Sequence, residues 1–331
     1  MTVQFTLIGL GQVGTSIGLA LAGRPDELRR VGYDRSLDVQ QKAKKLGAVD
    51  SAPYNLHEAV EAADVVVLCL PLSRVEETLK QIGPDLRDGA VVMDTAPLKI
   101  PVAGWFREHV PQGRHYVGLV PALSPAYLAD SLHGPETAHA DLFKDGTLGI
   151  AAPPGTPETA VEQAVQLAGF LGAQPLFLDM LEADGMLAST QLLPQLTAAA
   201  LLNATVEQAG WTEARRLADR PYALGTAAVF EESLETLLLA AQLNRANVLP
   251  ALEMVIGGLT TIHTALKNGD DRDLERRLEQ AVDDRLTWWQ QRQTAKWDNE
   301  HKADIALPGF LERLFGSLVT RRNKREREDP E

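Results

Sequence analysis

The sequence is nearly free of cysteine. Cys69 is the one cysteine among 331 residues, which excludes a disulfide within the chain and fits a reducing compartment. The chain begins Met1-Thr2-Val3-Gln4-Phe5, which leads into a strand pattern without the basic and apolar segments of a secretory signal. We therefore expect a cytoplasmic protein.

Long apolar runs and an excess of positive charge are also missing. No apolar stretch approaches the ~20 residues that span a bilayer, so we expect no membrane-spanning segment. The formal net charge of −13 disfavours contact with polyanions, and nucleic acid is not expected as a partner. The seven histidines are scattered along the chain, and their spacing predicts no metal site.

The sequence does contain enough apolar material for a large folded protein. Hydrophobic residues make up 45% of a chain that exceeds the usual size of one domain. Residues 1–178 alternate short apolar runs with longer amphipathic ones, the pattern of a parallel sheet covered by helices. Seven strands are predicted: Phe5–Gly9, Arg30–Asp34, Val65–Leu70, Ala90–Asp94, His115–Leu119, Leu148–Ala152 and Pro175–Leu178.

A glycine-rich loop follows the first strand. Gly9-Leu10-Gly11-Gln12-Val13-Gly14 joins it to a helix expected over residues 13–22. In such a loop the first glycine permits a tight turn, the second lets the backbone approach a pyrophosphate, and the third lets helix and strand pack closely. The helix N-terminus offers free N–H groups to the phosphates. The loop predicts an α/β fold with a Rossmann-type doubly wound parallel sheet that binds a dinucleotide.

An acidic residue and two further turns complete the predicted cofactor site. Asp34 stands 20 residues after Gly14, at the end of the second strand. A carboxylate there accepts hydrogen bonds from the ribose hydroxyls and repels a 2′-phosphate, so NAD is favoured over NADP. Arg35 lies beside it and weakens that preference slightly. Turns at the carboxyl ends of the next strands supply the remaining predicted residues, which are Leu70, Pro71, Leu72, Ser73 and Thr95.

The second half of the chain is predicted to be helical. Helical patterns cover residues 182–208, 211–219, 231–268 and 272–297, so we assign residues 179–300 to a helical dimerisation and substrate domain. One helix over 231–268 would be about 57 Å long, which suggests helices intertwined across a dimer interface. A hairpin of two shorter helices is the alternative. The apolar positions expected to be buried on one side of this segment are Leu234, Leu237, Leu238, Ala241, Val248, Leu252, Val255 and Leu259.

Residues 301–331 are predicted to form a basic amphipathic tail that is partly disordered. Residues 307–315 have an amphipathic pattern, and a run of arginines and lysine follows them. Such an end can lie on an anionic membrane. The alternative, which we favour, is a helix docked on its own protein with a frayed charged terminus.

Over about residues 3–295 the order and spacing of these motifs resemble the prephenate and arogenate dehydrogenase family. The matching segments are Gly9–Gly18, Gly32–Ser36, Pro71, Asp94 with Lys99, Asp141–Phe143, Ala183-Asp184, Pro194 and Asn244-Arg245. The resemblance implies an NAD(P)-dependent oxidoreductase with a Rossmann domain followed by a helical dimerisation domain. Members of the family convert prephenate to 4-hydroxyphenylpyruvate, a step of tyrosine and aromatic amino acid biosynthesis, by hydride transfer coupled to loss of carbon dioxide. A histidine hydrogen-bonded to the ring hydroxyl serves that reaction.

The positions that match the family's catalytic residues carry other side chains. The histidine falls at Val120, the serine at Pro97 and two helix histidines at Leu192 and Gln195, while a substrate arginine falls near Ala228. Valine cannot exchange a hydrogen bond with a reacting hydroxyl, and proline has neither a side-chain donor nor an N–H. The chain therefore resembles a divergent member that lacks the catalytic histidine and serine.

Substitutes for these groups are predicted in and near the segment from Pro121 to Phe143, which is longer than the family pattern. His133 is the candidate acid–base residue near neutral pH, with an exposed loop histidine as the alternative. Lys99 is the candidate contact for a substrate carboxylate, with a purely structural lysine as the alternative. Asp184 is expected to cap or orient a helix rather than to act as a base.

Three functions remain open from the sequence. The first is an NAD-dependent dehydrogenase of the prephenate dehydrogenase type, acting as a homodimer on a small carboxylated substrate. The second keeps hydride transfer, at a CH–CH or CH–OH group, but uses another small carboxylic acid. The third is an NAD-binding sensor that has lost its catalytic groups.

Overall fold

The computed structural model describes residues 2–23, 28–128 and 134–297. The chain divides into two units, residues 1–289 and residues 290–331. The first unit holds the whole described sheet and nearly all of the described helices. Two of the sequence predictions, His133 and the tail over 301–331, lie outside the described residues.

The seven predicted strands are all present in one sheet, with ends that differ from the prediction by one or two residues. They are β1 (Val3–Ile8), β2 (Leu28–Tyr33), β3 (Val65–Leu68), β4 (Val91–Asp94), β5 (His115–Pro121), β6 (Thr147–Ala151) and β7 (Gln174–Phe177). Their order is β2-β1-β3-β4-β5-β6-β7. All neighbouring pairs are parallel except β5 and β6, which run antiparallel.

The order of the strands places a crevice at the carboxyl ends of β1 and β3. The chain passes from β1 outward to β2 and then returns across β1 to β3. At such a reversal the connections leave to opposite sides, and ligands of open α/β sheets bind in the gap. The predicted Rossmann-type doubly wound sheet is therefore confirmed.

Helices cover both faces of the sheet, because alternate strand residues point to opposite sides. In the first half the helices are α1 (Gln12–Ala20), α2 (Leu37–Lys45), α3 (Leu56–Val60), α4 (Leu72–Ile82), α5 (Ile100–His109) and α6 (Glu158–Leu171). Val65 and Val67 belong to the hydrophobic cluster that includes residues of α1, α2 and α6. Val66 and Leu68 belong to the opposite cluster, which includes residues of α3, α4 and α5.

The described chain after residue 179 is helical, as predicted. Its helices are α7 (Met180–Leu187), α8 (Leu193–Val206), α9 (Trp211–Ala214), α10 (Arg220–Ala227), α11 (Leu234–Leu243), α12 (Arg245–Asn268) and α13 (Asp271–Thr294). A π-helical turn, Ala188–Leu192, joins α7 to α8. Met180 and Ala183 of α7 and Val248 of α12 lie in the same cluster as Val66 and Leu68, so this helical region covers one face of the sheet.

The prediction of one helix over 231–268 was wrong. Helix α11 ends and α12 begins at Asn244, whose backbone leaves the helical region. The Asn244 Nδ2 donates a hydrogen bond to the buried backbone oxygen of Asp184 at 2.8 Å, and its Oδ1 accepts one from Asn247 Nδ2 at 2.8 Å. The bond to Asp184, 60 residues away, ties the break to another part of the fold, and two shorter helices replace the 57 Å helix that the periodicity predicted.

Two expectations about apolar surface also need correction. Leu237 and Val248 are buried, but Leu234, Leu238 and Leu259 are exposed in the chain. Helix α12 is also long enough and apolar enough to cross a bilayer, contrary to the expectation that no such stretch exists. One helix of this kind is weak evidence for a membrane span. The described helices α11 and α12 therefore leave an apolar face without cover.

Replacing Asn244 by alanine tests the junction between α11 and α12. The variant loses two hydrogen bonds at a buried position, which we expect to cost about 1–2 kcal/mol of unfolding free energy. Urea denaturation of the variant and of Asn203→Ala, an exposed position in α8, measures the difference. Equal midpoints for the two variants would contradict the assigned role of Asn244.

Candidate active site

The glycine loop has the geometry that the sequence predicted. Gly9 has a φ of 91°, and a Cβ built on it would lie 2.2 Å from the backbone oxygen of Cys69. A Cβ on Gly14 would lie 1.9 Å from the backbone oxygen of Gly9. Both positions exclude any side chain, because the start of α1 lies directly against the ends of β1 and β3.

Gly11 differs from these two glycines in what surrounds it. No described heavy atom lies within 4 Å of a Cβ built on Gly11, so the packing of the protein does not demand a glycine there. The first backbone hydrogen bond within α1 is donated by Thr15 N to Gly11 O, which leaves the N–H groups of residues 12–14 ahead of it at the helix N-terminus. This open cradle of N–H groups fits a pyrophosphate.

Asp34 lies at the end of β2, beside the loop. Its Oδ2 accepts the N–H of Leu10 at 2.9 Å and its Oδ1 accepts the N–H of Ser36 at 2.9 Å. These bonds fix the carboxylate, and each oxygen keeps a lone pair for a ribose hydroxyl. The Gln40 side chain holds the Asp34 backbone oxygen at 2.6 Å. The residues therefore fit an adenosine ribose with free hydroxyls. Arg35, the neighbour that weakens the predicted preference for NAD, is exposed.

The predicted turns lie at the same edge of the sheet. Leu70 Cδ2 is 3.0 Å from the Cβ position of Gly9, and Thr95 N donates to the Leu68 backbone oxygen at 3.0 Å. Ser73 Oγ lies 3.4 Å from Thr236 Oγ1 of α11. Leu72 is fully buried and Pro71 is exposed. Burial raises the pKa of the Cys69 thiol beside this loop to about 12.

The segment after β5 contacts the helix that starts the cofactor site. Gln12 Nε2 donates to the Thr137 backbone oxygen at 3.1 Å, and His139 N donates to Ser16 Oγ at 3.0 Å. The His139 ring stacks on Tyr127 with 4.6 Å between centroids. This part of the predicted 121–143 segment thus lies on α1, while its candidate acid–base residue, His133, is outside the described residues.

A buried carboxylate ends β4 at this edge. Asp94 Oδ1 accepts hydrogen bonds from Lys99 Nζ at 3.0 Å and from Ala96 N at 2.8 Å, and its Oδ2 accepts one from the Tyr116 hydroxyl at 2.5 Å. Both side chains of the Asp94–Lys99 ion pair are 0% exposed. Burial lowers the pKa of Lys99, and the charge of Asp94 opposes that shift. The ammonium predicted to meet a substrate carboxylate is therefore enclosed with Asp94 instead of facing an open cleft.

Asp184 caps helix α5, which confirms the role expected from the sequence. Its Oδ1 accepts the N–H of Lys99 at 2.5 Å and its Oδ2 accepts that of Ile100 at 3.1 Å. Burial raises the pKa of Asp184, while these N–H donors act in the opposite direction. The link from Asp94 through Lys99 to Asp184 was not predicted. Its one sequence signal was that Asp94, Lys99 and Asp184 all belong to the segments that resemble the family.

The positions that match the family's catalytic residues are mostly apolar here. Val120 and Ala228 are half-buried, Pro97 is buried and Leu192 is fully buried. Gln195 is 4% exposed, and its Oε1 has no hydrogen-bond partner among the described residues. Gln195 lies one turn after the π-helical turn, and such turns often accompany functional sites. Among these five positions, the Gln195 amide is thus the one side chain that can exchange hydrogen bonds with a substrate.

Alanine substitutions at two glycines separate cofactor binding from folding. Gly11→Ala places a methyl group in the open cradle, so we expect the melting temperature to stay within about 2 °C. We expect the NAD dissociation constant to rise by about tenfold or more, since lost phosphate contacts cost on the order of 1–3 kcal/mol. The matched control is Gly104→Ala in α5, where the described residues also leave open space.

Calorimetric titration with NAD and thermal unfolding provide the two measurements. Gly14→Ala serves as a third variant, because its clash with Gly9 lowers both affinity and stability. Unchanged NAD affinity in Gly11→Ala would show that the pyrophosphate binds elsewhere.

Comparison with known proteins supports the predicted nucleotide-binding domain and the resemblance to prephenate and arogenate dehydrogenases. Residues 17–176 match the family model described as the nucleotide-binding domain of prephenate dehydrogenase. The chain is 25% identical over 279 residues to a cyclohexadienyl dehydrogenase of Zymomonas mobilis, an alignment that covers 82% of this chain and 91% of the relative.

Two solved structures share the fold. The prephenate dehydrogenase of Aquifex aeolicus in complex with hydroxyphenyl propionate and NAD⁺ superposes with a TM-score of 0.76 at 16% identity, covering 87% of this chain and 98% of that one. The arogenate dehydrogenase of Synechocystis superposes with a TM-score of 0.69 at 22% identity, covering 86% and 100%. The glycine loop, the aspartate at the end of β2 and these matches together support the prephenate and arogenate dehydrogenase family for this chain.

Proposed function

We propose that this protein is an NAD-dependent dehydrogenase that oxidises and decarboxylates prephenate, with arogenate as the second candidate substrate. The observation that carries the proposal is the open cradle at Gly11 beside the fixed carboxylate of Asp34. These features select a dinucleotide with free ribose hydroxyls. The match to the cyclohexadienyl dehydrogenase along most of both chains supports the substrate class.

The chain's own residues perform binding and orientation. The N–H groups of residues 12–14 hold the pyrophosphate, and Asp34 holds the adenosine ribose. The turn of residues 95–98 is held at the carboxyl end of β4, the edge at which the nicotinamide is expected. NAD, when bound, supplies the hydride acceptor. Prephenate delivers a hydride and loses carbon dioxide, so the reaction forms 4-hydroxyphenylpyruvate, NADH and CO₂ without net proton release.

That balance explains how the reaction could proceed with Val120 at the histidine position. A histidine there orients and polarises the ring hydroxyl but consumes no proton overall. Loss of such a group typically lowers the rate by about 10²–10⁴ without abolishing it. Orientation between fixed groups supplies the remaining acceleration.

The decisive test is the appearance of NADH with the purified protein. We expect turnover with prephenate, weaker or no turnover with arogenate, and a preference for NAD over NADP that falls in Asp34→Asn. The control is Asp38→Asn, an exposed carboxylate on α2 whose partner is Lys42. A folded protein that binds NAD and turns over neither acid would overturn the proposal.

A second function is favoured by one observation, the enclosure of Lys99 with Asp94. With that ammonium enclosed, and with valine and proline at the positions that match the family's histidine and serine, few described polar groups remain for the two carboxylates of prephenate. A dehydrogenase of another small carboxylic acid fits this shortage of polar groups. Turnover with hydroxy acids but not with prephenate would favour it, and binding of NAD with no turnover at all would favour the sensor function.

We also propose a homodimer built from α11 and α12. Met254, Leu259 and Leu266 of α12 are 67%, 62% and 62% exposed in the chain, and an apolar face of this extent is typical of a protein interface. The family resemblance implies a second copy of the chain as the occupant. A dimer in the cytoplasm, with tyrosine biosynthesis as its context, is the arrangement that we propose.

Sedimentation equilibrium tests the dimer. We expect the wild type to sediment as a dimer and Leu259→Asp as a monomer, because a carboxylate buried at the interface would lack a partner. The control is Leu176→Asp on the exposed edge strand β7. A monomeric wild type, or a dimeric Leu259→Asp variant, would contradict an interface on α12.

A further inference from the structure

The Lys99 side chain lies across the surface of β5. A Cβ built on Gly118 would be 2.5 Å from Lys99 Cδ and 3.0 Å from the Tyr116 hydroxyl. Residues 116, 118 and 120 alternate onto the same face of β5. Gly118 is therefore the gap through which Lys99 reaches Asp94, and the next side chain on that face is Val120.

This ion pair is an inefficient way to stabilise a core. Removing a carboxylate and an ammonium from water costs several kcal/mol each, and their attraction often only balances that cost. Apolar residues of similar volume would fill the same space at equal or better stability. The role of the Asp94–Lys99 pair therefore lies in the geometry that it fixes rather than in the stability that it adds.

That geometry is the turn between β4 and α5. Asp94 accepts the N–H of Ala96 within the turn, and Thr95 N donates to the Leu68 backbone oxygen at the end of β3. Lys99 closes the turn through Nζ bonds to the carboxylate and the backbone oxygen of Asp94, at 3.0 and 3.3 Å. Ala96 within the turn and Lys99 at its end thus both donate hydrogen bonds to the Asp94 carboxylate.

The other end of the link lies in the helical region. Asp184 of α7 accepts the N–H groups of Lys99 and Ile100, and Asn244 donates to the backbone oxygen of Asp184. The turn is therefore held between the sheet edge that receives the cofactor and the helices that cover it.

We propose that Lys99 is a positioning residue, which with Asp94 fixes the 95–98 turn against the nicotinamide and substrate. The role rests on the proposed dehydrogenase function and replaces the direct substrate contact expected from the sequence. Lys99 acts through Asp94 and the turn and does not touch the reacting atoms.

Two variants separate positioning from stability. Lys99→Met leaves the buried Asp94 carboxylate without its ammonium, so we expect lower stability and a kcat lower by about 10–100-fold, the effect of a misplaced reacting group. Asp94→Asn combined with Lys99→Met removes both charges, so we expect stability to recover while kcat stays reduced by about tenfold or more. The NAD dissociation constant should change far less than kcat in both, since the glycine loop that receives the pyrophosphate is untouched and only the turn at the nicotinamide end is affected.

The matched control is Arg30→Met. Arg30 is a buried cation on β2 that pairs with Asp50 and donates to the backbone oxygens of Gly18 and Gly47. Its loss should lower stability as in Lys99→Met and leave kcat within about twofold. Recovery of both stability and kcat in the double variant would overturn the positioning role, as would a kcat in Lys99→Met equal to that of the control.

Amide hydrogen exchange keeps the two proposals distinguishable. We expect faster exchange of the turn's backbone amides, those of residues 95, 96 and 98, in Lys99→Met than in Arg30→Met, with or without substrate. If the wild type turns over neither prephenate nor arogenate, the proposed function fails, and exchange alone decides the positioning role. Equal exchange of the turn in both variants would then overturn that role.

Discussion

The structure depends on how closely three backbone segments approach one another where β1 ends. Gly9 meets the backbone oxygen of Cys69, and Gly14 meets that of Gly9, so the start of α1, the end of β1 and the end of β3 lie in direct contact. Any side chain at either glycine would separate the helix from the sheet. The same contact aims the first N–H groups of α1 into the crevice, so packing and phosphate binding have one cause.

A second constraint acts two strands further along the same edge. Asp94 accepts three donors in a site closed to solvent, and each donor comes from a different place: Ala96 within the turn, Lys99 just before α5, and Tyr116 on β5. A carboxylate with these partners stays buried only while all three keep their places. Close packing at the phosphate end and these hydrogen bonds at the β4 end thereby hold both ends of the crevice in place.

Much of this arrangement could be predicted from local patterns. Short apolar runs located all seven strands, and the glycine loop with Asp34 indicated the cofactor crevice, because these signals lie within short stretches of sequence. The break at Asn244 could not be found this way, since its cause is a hydrogen bond to a residue 60 positions away. The burial of Lys99 escaped for a similar reason: the gap at Gly118 appears only when β4 and β5 are paired.

The helical periodicity gave a different kind of error. Leu234, Leu238 and Leu259 keep the spacing of buried residues, yet they are exposed in the chain. A periodic apolar stripe predicts an apolar helix face but does not show that the same chain buries that face. The missing catalytic side chains at Val120 and Pro97 were visible in the sequence, whereas the environment of the residues that replace them was not.

The antiparallel pairing of β5 and β6 has a consequence for how this site can change. In a parallel pair the connection must cross the sheet and return through a helix, so its length is tied to the core. Here β5 ends and β6 begins at the same edge, so the connection between them does not need to cross the sheet. Leu142 and Phe143 near its end are buried in the core, but its length is not set by a crossover helix, which makes this connection a natural place for members of one scaffold to acquire different substrates.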